Sequence, residues 1–266
     1  MRTTVFLGGG RITSALVAGL RLAGYLRPIV VHDRHSRKLQ ELKRHHRVIV
    51  EEDLAHAIDL ANLLIVAVRP ESVRELLKEI GELKLRRRLT AVSLAAGIPL
   101  SRLQARLGSP VRWARAMPSP ACRGARGLTG LTFGRGLSAS ERTTVRNLFM
   151  SVGAVVEIPE EQFDAFTVTY SSSHGYHALT VLARAAEAIG LDRKTALLAA
   201  AHALTDGIAT WRSGNLSLEK LLRESATPGG IAEATMATLD HAGYRRIVQN
   251  GLHSGIRRAR ENASRL

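Results

Sequence analysis

Apolar positions along this chain keep two different rhythms, and the change from one to the other divides it. In the first part short unbroken apolar runs recur: Val5-Phe6-Leu7, Ile29-Val30-Val31, Val48-Ile49-Val50, Leu63 to Val68, Leu89 to Leu94, Val111 to Ala116, Gly127 to Phe133 and Ala154 to Ile158. Runs of that length, bounded by turn residues, read as strands buried on both faces. Between them apolar residues return every three or four positions, as in Ile12, Leu16, Val17 and Leu20. Similar helical stretches cover Leu39 to Arg44, Asp53 to Leu60 with Asp53 as its cap, Ser72 to Leu83, Leu100 to Leu107 and Ser140 to Val152. Strand and helix alternate throughout, which predicts an α/β unit with a doubly wound parallel sheet.

Past Pro159 the strand pattern stops. Helical periodicity rich in Ala and Leu takes over, with long stretches at Thr180 to Ile189 and Arg193 to Trp211 broken at Gly190. Leu218 to Glu224 follows, then a helix opened by Thr227-Pro228-Gly229-Gly230 and running to His241, then Tyr244 to Asn262. The expected division is a sheet domain over residues 1–159 and an all-α domain over residues 160–266. Long helices with this much apolar surface and little sheet to cover it predict an intertwined homodimer or a higher homo-oligomer.

The first strand ends in Gly8-Gly9-Gly10, and the first helix starts directly after it. Gly8 permits a tight turn, and Gly10 has no side chain to hold a pyrophosphate off the backbone. The helix beginning at Arg11 and Ile12 points unpaired N–H groups and a positive dipole end at that anion. The third glycine of the dinucleotide fingerprint is replaced by Thr13. A Rossmann-type nucleotide site is therefore expected here, at the head of the sheet. At the end of the second strand Asp33 can accept ribose hydroxyls. The residues beyond it, Arg34, Ser36 and Arg37, suit a 2′-phosphate, so NADPH (NADP) is the expected cofactor and NADH the less favoured one. Later strands end at Val68-Arg69-Pro70, Ala95-Ala96-Gly97 and Met117-Pro118-Ser119, the edge where open α/β sheets bind ligands. The small residues at 95–97 serve either a flat cofactor or tight core packing.

Charge alters this picture only at the margin. The 266 residues carry a formal net charge of +15 and a pI near 11.1. The basic residues are scattered, as in Arg86-Arg87-Arg88 and Arg257-Arg258-Arg260, without interleaved aromatics, so a nucleic-acid platform is not expected. The single cysteine, Cys122, excludes an intramolecular disulfide and a cysteine-based metal cluster. His45-His46 lies on a polar helix, and no metal ligand set is expected. No apolar run is long enough to span a bilayer, which predicts a cytoplasmic protein with no membrane partner.

The order of segments resembles the pyrroline-5-carboxylate reductase family over almost the whole chain. That family's glycine turn, V-K-P, S-x-A-A-G, M-P-N-T-P-A, G-S-G-P-A-Y and S-P-G-G-T-T stand here as Gly8 to Thr13, Val68-Arg69-Pro70, Ser93-Leu94-Ala95-Ala96-Gly97, Met117-Pro118-Ser119-Pro120, Ser171-Ser172-Ser173-His174-Gly175-Tyr176 and Thr227-Pro228-Gly229-Gly230-Ile231-Ala232. The resemblance implies NAD(P)H bound to the sheet domain, with Met117 and Ser119 on the cofactor side. It also implies hydride transfer to a small anionic cyclic imine held by helices of a partner subunit.

Departures gather on the imine side. The family's asparagine after M-P is Ser119, its proline is His174, and its T-T pair is Ile231-Ala232, so the threonine thought to bond the ring nitrogen is gone. Thr227, Gly229 and Gly230 remain to grip a carboxylate, with Ser171 and Ser172 beside them in the expected substrate pocket. The proton for the imine nitrogen is expected from His174, from Tyr170, or from water held by Ser172, with His177 a weaker candidate. A reductase of another imine or keto substrate, and a non-catalytic NADP-binding protein, are the competing expectations.

Overall fold

A computed structural model describes residues 3–266 of the chain. Among the described residues, eight strands form one sheet with the order β3-β2-β1-β4-β5-β6-β7-β8. They are β1 (Thr4–Leu7), β2 (Ile29–His32), β3 (Ile49–Val50), β4 (Leu63–Val66), β5 (Leu89–Ser93), β6 (Val111–Pro118), β7 (Gly127–Phe133) and β8 (Gly153–Glu157). Helices α1 (Arg11–Leu22), α2 (Ser36–His46), α3 (Leu54–Leu60), α4 (Pro70–Glu82), α5 (Leu100–Arg106) and α6 (Ala139–Met150) link them, and α7 (Glu160–Thr169) follows β8.

Alternation along the strands sends side chains to two faces. Phe6, Val31, Ile65 and Val92 join buried residues of α1, α2 and α6 on one face. Val5, Leu7, Leu64 and Val66 join α3, α4 and α5 on the other. The connection order reverses between β1 and β4, which pair in register from Thr4↔Leu63 to Leu7↔Val66. That reversal opens a crevice at the C-terminal ends of these strands, where the glycine turn stands.

One expectation needs correction. β6 and β7 pair antiparallel, so β7 and β8, which are parallel to each other, run against the first six strands. The link between Pro118 and Gly127 holds only a short 3-10 turn at Pro120–Gly124. A parallel return needs a crossover of a dozen or more residues, so this link can only make the chain double back.

By their contacts the residues fall into two compact units: the described residues up to Tyr170 together with His253–Leu266, and Ser171–Leu252. The second unit contains α8 (Ser172–Ala188), α9 (Arg193–Ser213), α10 (Leu218–Ser225) and α11 (Ile231–His241), while α12 (Tyr244–Ser264) contributes to both. Asp192 caps α9 through the N–H groups of Lys194 and Thr195, and Ser217 caps α10 through that of Lys220. In the first unit the C-terminal segment lies against the 95–97 turn: Asn262 donates to the Ala96 carbonyl at 3.3 Å, and Leu266 joins the core beside Leu100. No helix among the described residues is long and apolar enough to cross a membrane.

Candidate cofactor site

Gly8 adopts φ +109°, and a Cβ there would meet the Ala67 carbonyl oxygen at 2.8 Å. The glycine is thus required by the close approach of β1 to the end of β4. Gly10 differs: nothing lies within 4 Å of where its Cβ would point. That open cradle, at the N-terminus of α1, is the space a pyrophosphate needs. Gly10 is the N-cap of α1, which has no side-chain cap and no acidic residue in its first turn, so no side chain of the helix itself offsets its N-terminal dipole. The residues present therefore fit a dinucleotide.

Thr13 is not a gap in the fingerprint. It is fully buried, and its hydroxyl donates to the Gly8 carbonyl at 2.5 Å, which ties the helix back to the turn. The close helix contact that a third glycine would allow is made at Gly19 instead, where a Cβ would fall 1.9 Å from the Cys122 carbonyl oxygen. Burial pushes the Cys122 thiol up to about 11, so this residue fills space as an uncharged group.

The glycine turn is joined to the β2–α2 turn, because the Gly9 N–H donates to Asp33 Oδ2 at 2.7 Å. Beyond Asp33, Arg34, Ser36 and Arg37 are all exposed, with Ser36 the first residue of α2. Val68 is half-buried past the end of β4, Arg69 is the N-cap of α4, and Pro70 is its first residue. The small residues at 95–97 prove to serve packing at Gly97. The backbone of Ala259 lies 2.6–3.0 Å from where a Gly97 Cβ would stand. Ala95 is buried, while Ala96 is half-buried.

Met117 is half-buried near the end of β6, and Ser119 is buried directly beyond it. The Tyr170 hydroxyl donates to Ser119 Oγ at 3.0 Å and accepts the Leu128 N–H at 2.8 Å. These two bonds pin the end of α7 to the sheet.

In the second unit α8 begins at Ser172, ahead of the Thr180 start that the apolar periodicity suggests. Ser171 is its N-cap, and His174 is exposed one turn in. The Thr227–Gly230 segment holds a feature that the sequence reading missed. The Gly230 N–H donates to the Thr227 carbonyl at 2.8 Å, and the Gly229 N–H donates to the carboxylate of Glu233. A side-chain carboxylate of this chain thus occupies an N–H expected to hold the substrate's. The signal was an acidic residue in the first turn after Gly229-Gly230, the usual place for such a back-bond. A cavity of about 690 Å³ lined by Thr4, Asn62, Thr90 and Glu141 opens at the opposite, N-terminal edge of the strands, away from the glycine turn.

Two stretches of the chain match known families. Residues 160–262 match the family described as pyrroline-5-carboxylate reductase dimerisation, and residues 3–97 match NADP oxidoreductase coenzyme F420-dependent. A pyrroline-5-carboxylate reductase of Corynebacterium melassecola is 30% identical over 251 residues, covering 92% of this chain and 93% of the relative. The chain belongs to the pyrroline-5-carboxylate reductase family. Solved structures agree on the fold: a pyrroline-5-carboxylate reductase of Coxiella burnetii superposes with a TM-score of 0.86 at 24% identity, covering 98% of each chain. A pyrroline carboxylate reductase of Plasmodium falciparum, solved with NADP bound, gives 0.86 at 17% identity, again over 98% of each.

Proposed function

We propose that this chain reduces a small cyclic imine, pyrroline-5-carboxylate foremost, with NADPH in preference to NADH. The observation that carries this reading is the family likeness along nearly the whole chain, joined to a glycine turn that still offers the open Gly10 cradle. When bound, the dinucleotide supplies the hydride that becomes the new C–H bond.

The chain's own residues do the rest. Gly8 and Gly10 shape the turn, and the N–H groups of Arg11 and Ile12 take the pyrophosphate. Arg34, Ser36 and Arg37 would receive the 2′-phosphate, and Val68, Arg69, Pro70, Ala95, Ala96, Met117 and Ser119 would hold the rest of the cofactor at the strand ends. As C=N becomes CH–NH, the nitrogen needs a proton, supplied by His174, by Tyr170 or by water held at Ser172; Ser171, Thr227, Gly229 and Gly230 belong to the substrate side. The same reading makes the working form a homodimer or larger assembly in the cytoplasm.

A second reading has its own support. Ala232 in place of the family's threonine, and the Glu233 carboxylate on the Gly229 N–H, favour a relative whose imine or keto substrate differs. NADPH oxidation across a panel of cyclic imino acids, neutral cyclic imines and keto acids tests both. Turnover of pyrroline-5-carboxylate above the others is expected; turnover of another imine or of a keto acid in its place selects the second reading. Binding of NADPH with turnover of nothing would leave a non-catalytic NADP-binding protein. His174→Ala should lower kcat by roughly 10²–10⁴-fold with NADPH affinity unchanged. Native turnover in that variant would leave water as the donor.

A further inference from the structure

Asp33 closes β2 at the position where an acidic residue ordinarily receives the adenosine ribose hydroxyls. Here its oxygens are already engaged. Oδ2 accepts the Gly9 N–H at 2.7 Å and lies 3.6 Å from the Lys38 ammonium. Oδ1 accepts the His35 N–H at 2.8 Å and stands 2.8 Å from Nδ1 of the His35 ring. The side chain is only 9% exposed. Two backbone N–H donors and the His35 ring stand within hydrogen-bond distance of the carboxylate, with the Lys38 ammonium farther off at 3.6 Å.

Gly9 is seated as closely. A Cβ there would fall 3.1 Å from a Leu42 methyl and 3.5 Å from Asp33 Oδ2. The Gly8 N–H donates to the His32 carbonyl at 2.7 Å, so two successive N–H groups of the turn are fastened to the end of β2. Burial works against the charge on Asp33, but the Gly9 and His35 N–H groups, the His35 ring and Lys38 outweigh it and hold the carboxyl below its ordinary value.

We propose that Asp33 is a positioning residue: it fastens the glycine turn to the end of β2 and accepts no ribose hydroxyl. Choice between a 2′-hydroxyl and a 2′-phosphate then falls to Arg34, Ser36 and Arg37 beyond it. The inference rests on the dinucleotide reading above. Its physical content is that NADPH and NADH share one pyrophosphate and one turn. Loosening the turn therefore weakens both by the same factor, whereas loss of a ribose acceptor weakens NADH alone.

The experiment compares the full chain with Asp33→Ala and Asp33→Asn, the second keeping the shape with one acceptor oxygen. NADPH and NADH are titrated by nicotinamide fluorescence, and amide exchange of residues 8–12 is followed without cofactor. In Asp33→Ala both dissociation constants should rise by roughly five- to tenfold, their ratio moving less than about twofold. Exchange at Gly9 should quicken with no cofactor present, and Asp33→Asn should fall between. Weakening of NADH alone, tightening of NADPH, or unchanged exchange at Gly9 would overturn the proposal. Wild-type protein that binds neither dinucleotide would refute the cofactor reading instead, and the exchange measurement would still decide whether Asp33 fastens the turn. Should Asp33→Ala fail to fold, Asp33→Asn carries the same comparison.

Discussion

Gly8 and Gly10 stand two residues apart and answer to different constraints. A side chain at Gly8 meets both a left-handed φ and the Ala67 carbonyl, so Gly8→Ala should destabilise the fold by about 1–3 kcal/mol, read from urea unfolding. Gly10→Ala meets nothing in the protein. Its melting temperature should stay native while, on the proposed cofactor reading, NADPH affinity falls at least tenfold as the new methyl enters the open cradle. Glu233 supplies a residue-scale test of the substrate side. Its carboxylate competes for the Gly229 N–H, so Glu233→Ala should lower KM for an anionic imine by roughly three- to tenfold with kcat little changed. Steady-state kinetics that show a raised KM would make Glu233 a substrate ligand instead.

Among the elements, α6 is fastened by one acidic residue. Glu141 accepts from the Ser138 N–H as its capping box, pairs with Arg88 at 2.7 Å and accepts the Thr90 hydroxyl. Burial raises its pKa, but the Arg88 guanidinium and the hydrogen bonds from Ser138 and Thr90 bring the carboxyl down to about 2 from an ordinary 4.5. With the folded value below the unfolded one, its stabilisation is complete above about pH 4.5 and is lost as pH falls toward 2. Glu141→Gln should therefore flatten stability over that window, as seen in urea midpoints taken from pH 2 to 6. The strands could be read because buried parallel strands demand continuous apolar runs. The direction of β7 was also legible, in the shortness of the Ser119–Arg126 link, but apolar pattern alone does not carry it. Arg115 was not legible. It sits mid-strand in β6 at 1% exposure and meets Glu160 and Asp164 at 2.9 Å each, with its guanidinium over the Phe163 ring. Those partners come from a helix far along the chain, so burial of the charge depends on tertiary pairing that no local period records. The role of Thr13 was hidden for the opposite reason: a missing glycine drew attention away from a hydrogen bond that ties α1 to the turn.

At the scale of the whole molecule, the helices of the second unit leave apolar side chains in water. Leu198 is 59% exposed and Ile208 55%, with Trp211 and Ile231 exposed as well. Such surface fits association with another copy, in keeping with the dimerisation family matched over residues 160–262. Light scattering at micromolar concentration should give a dimer or larger, and Ile208→Glu should shift it toward monomer with loss of activity. The division of contacts also bears on how the protein is synthesised. Residues 253–266 leave the ribosome after all of 171–252, yet they belong with the sheet. Until Ala259 and Leu266 emerge, the turn at Gly97 and the apolar surface beside Leu100 wait uncovered. A nascent chain halted at residue 252 should therefore be cut by protease within its completed strands, and release of the final turns of α12 should close that window.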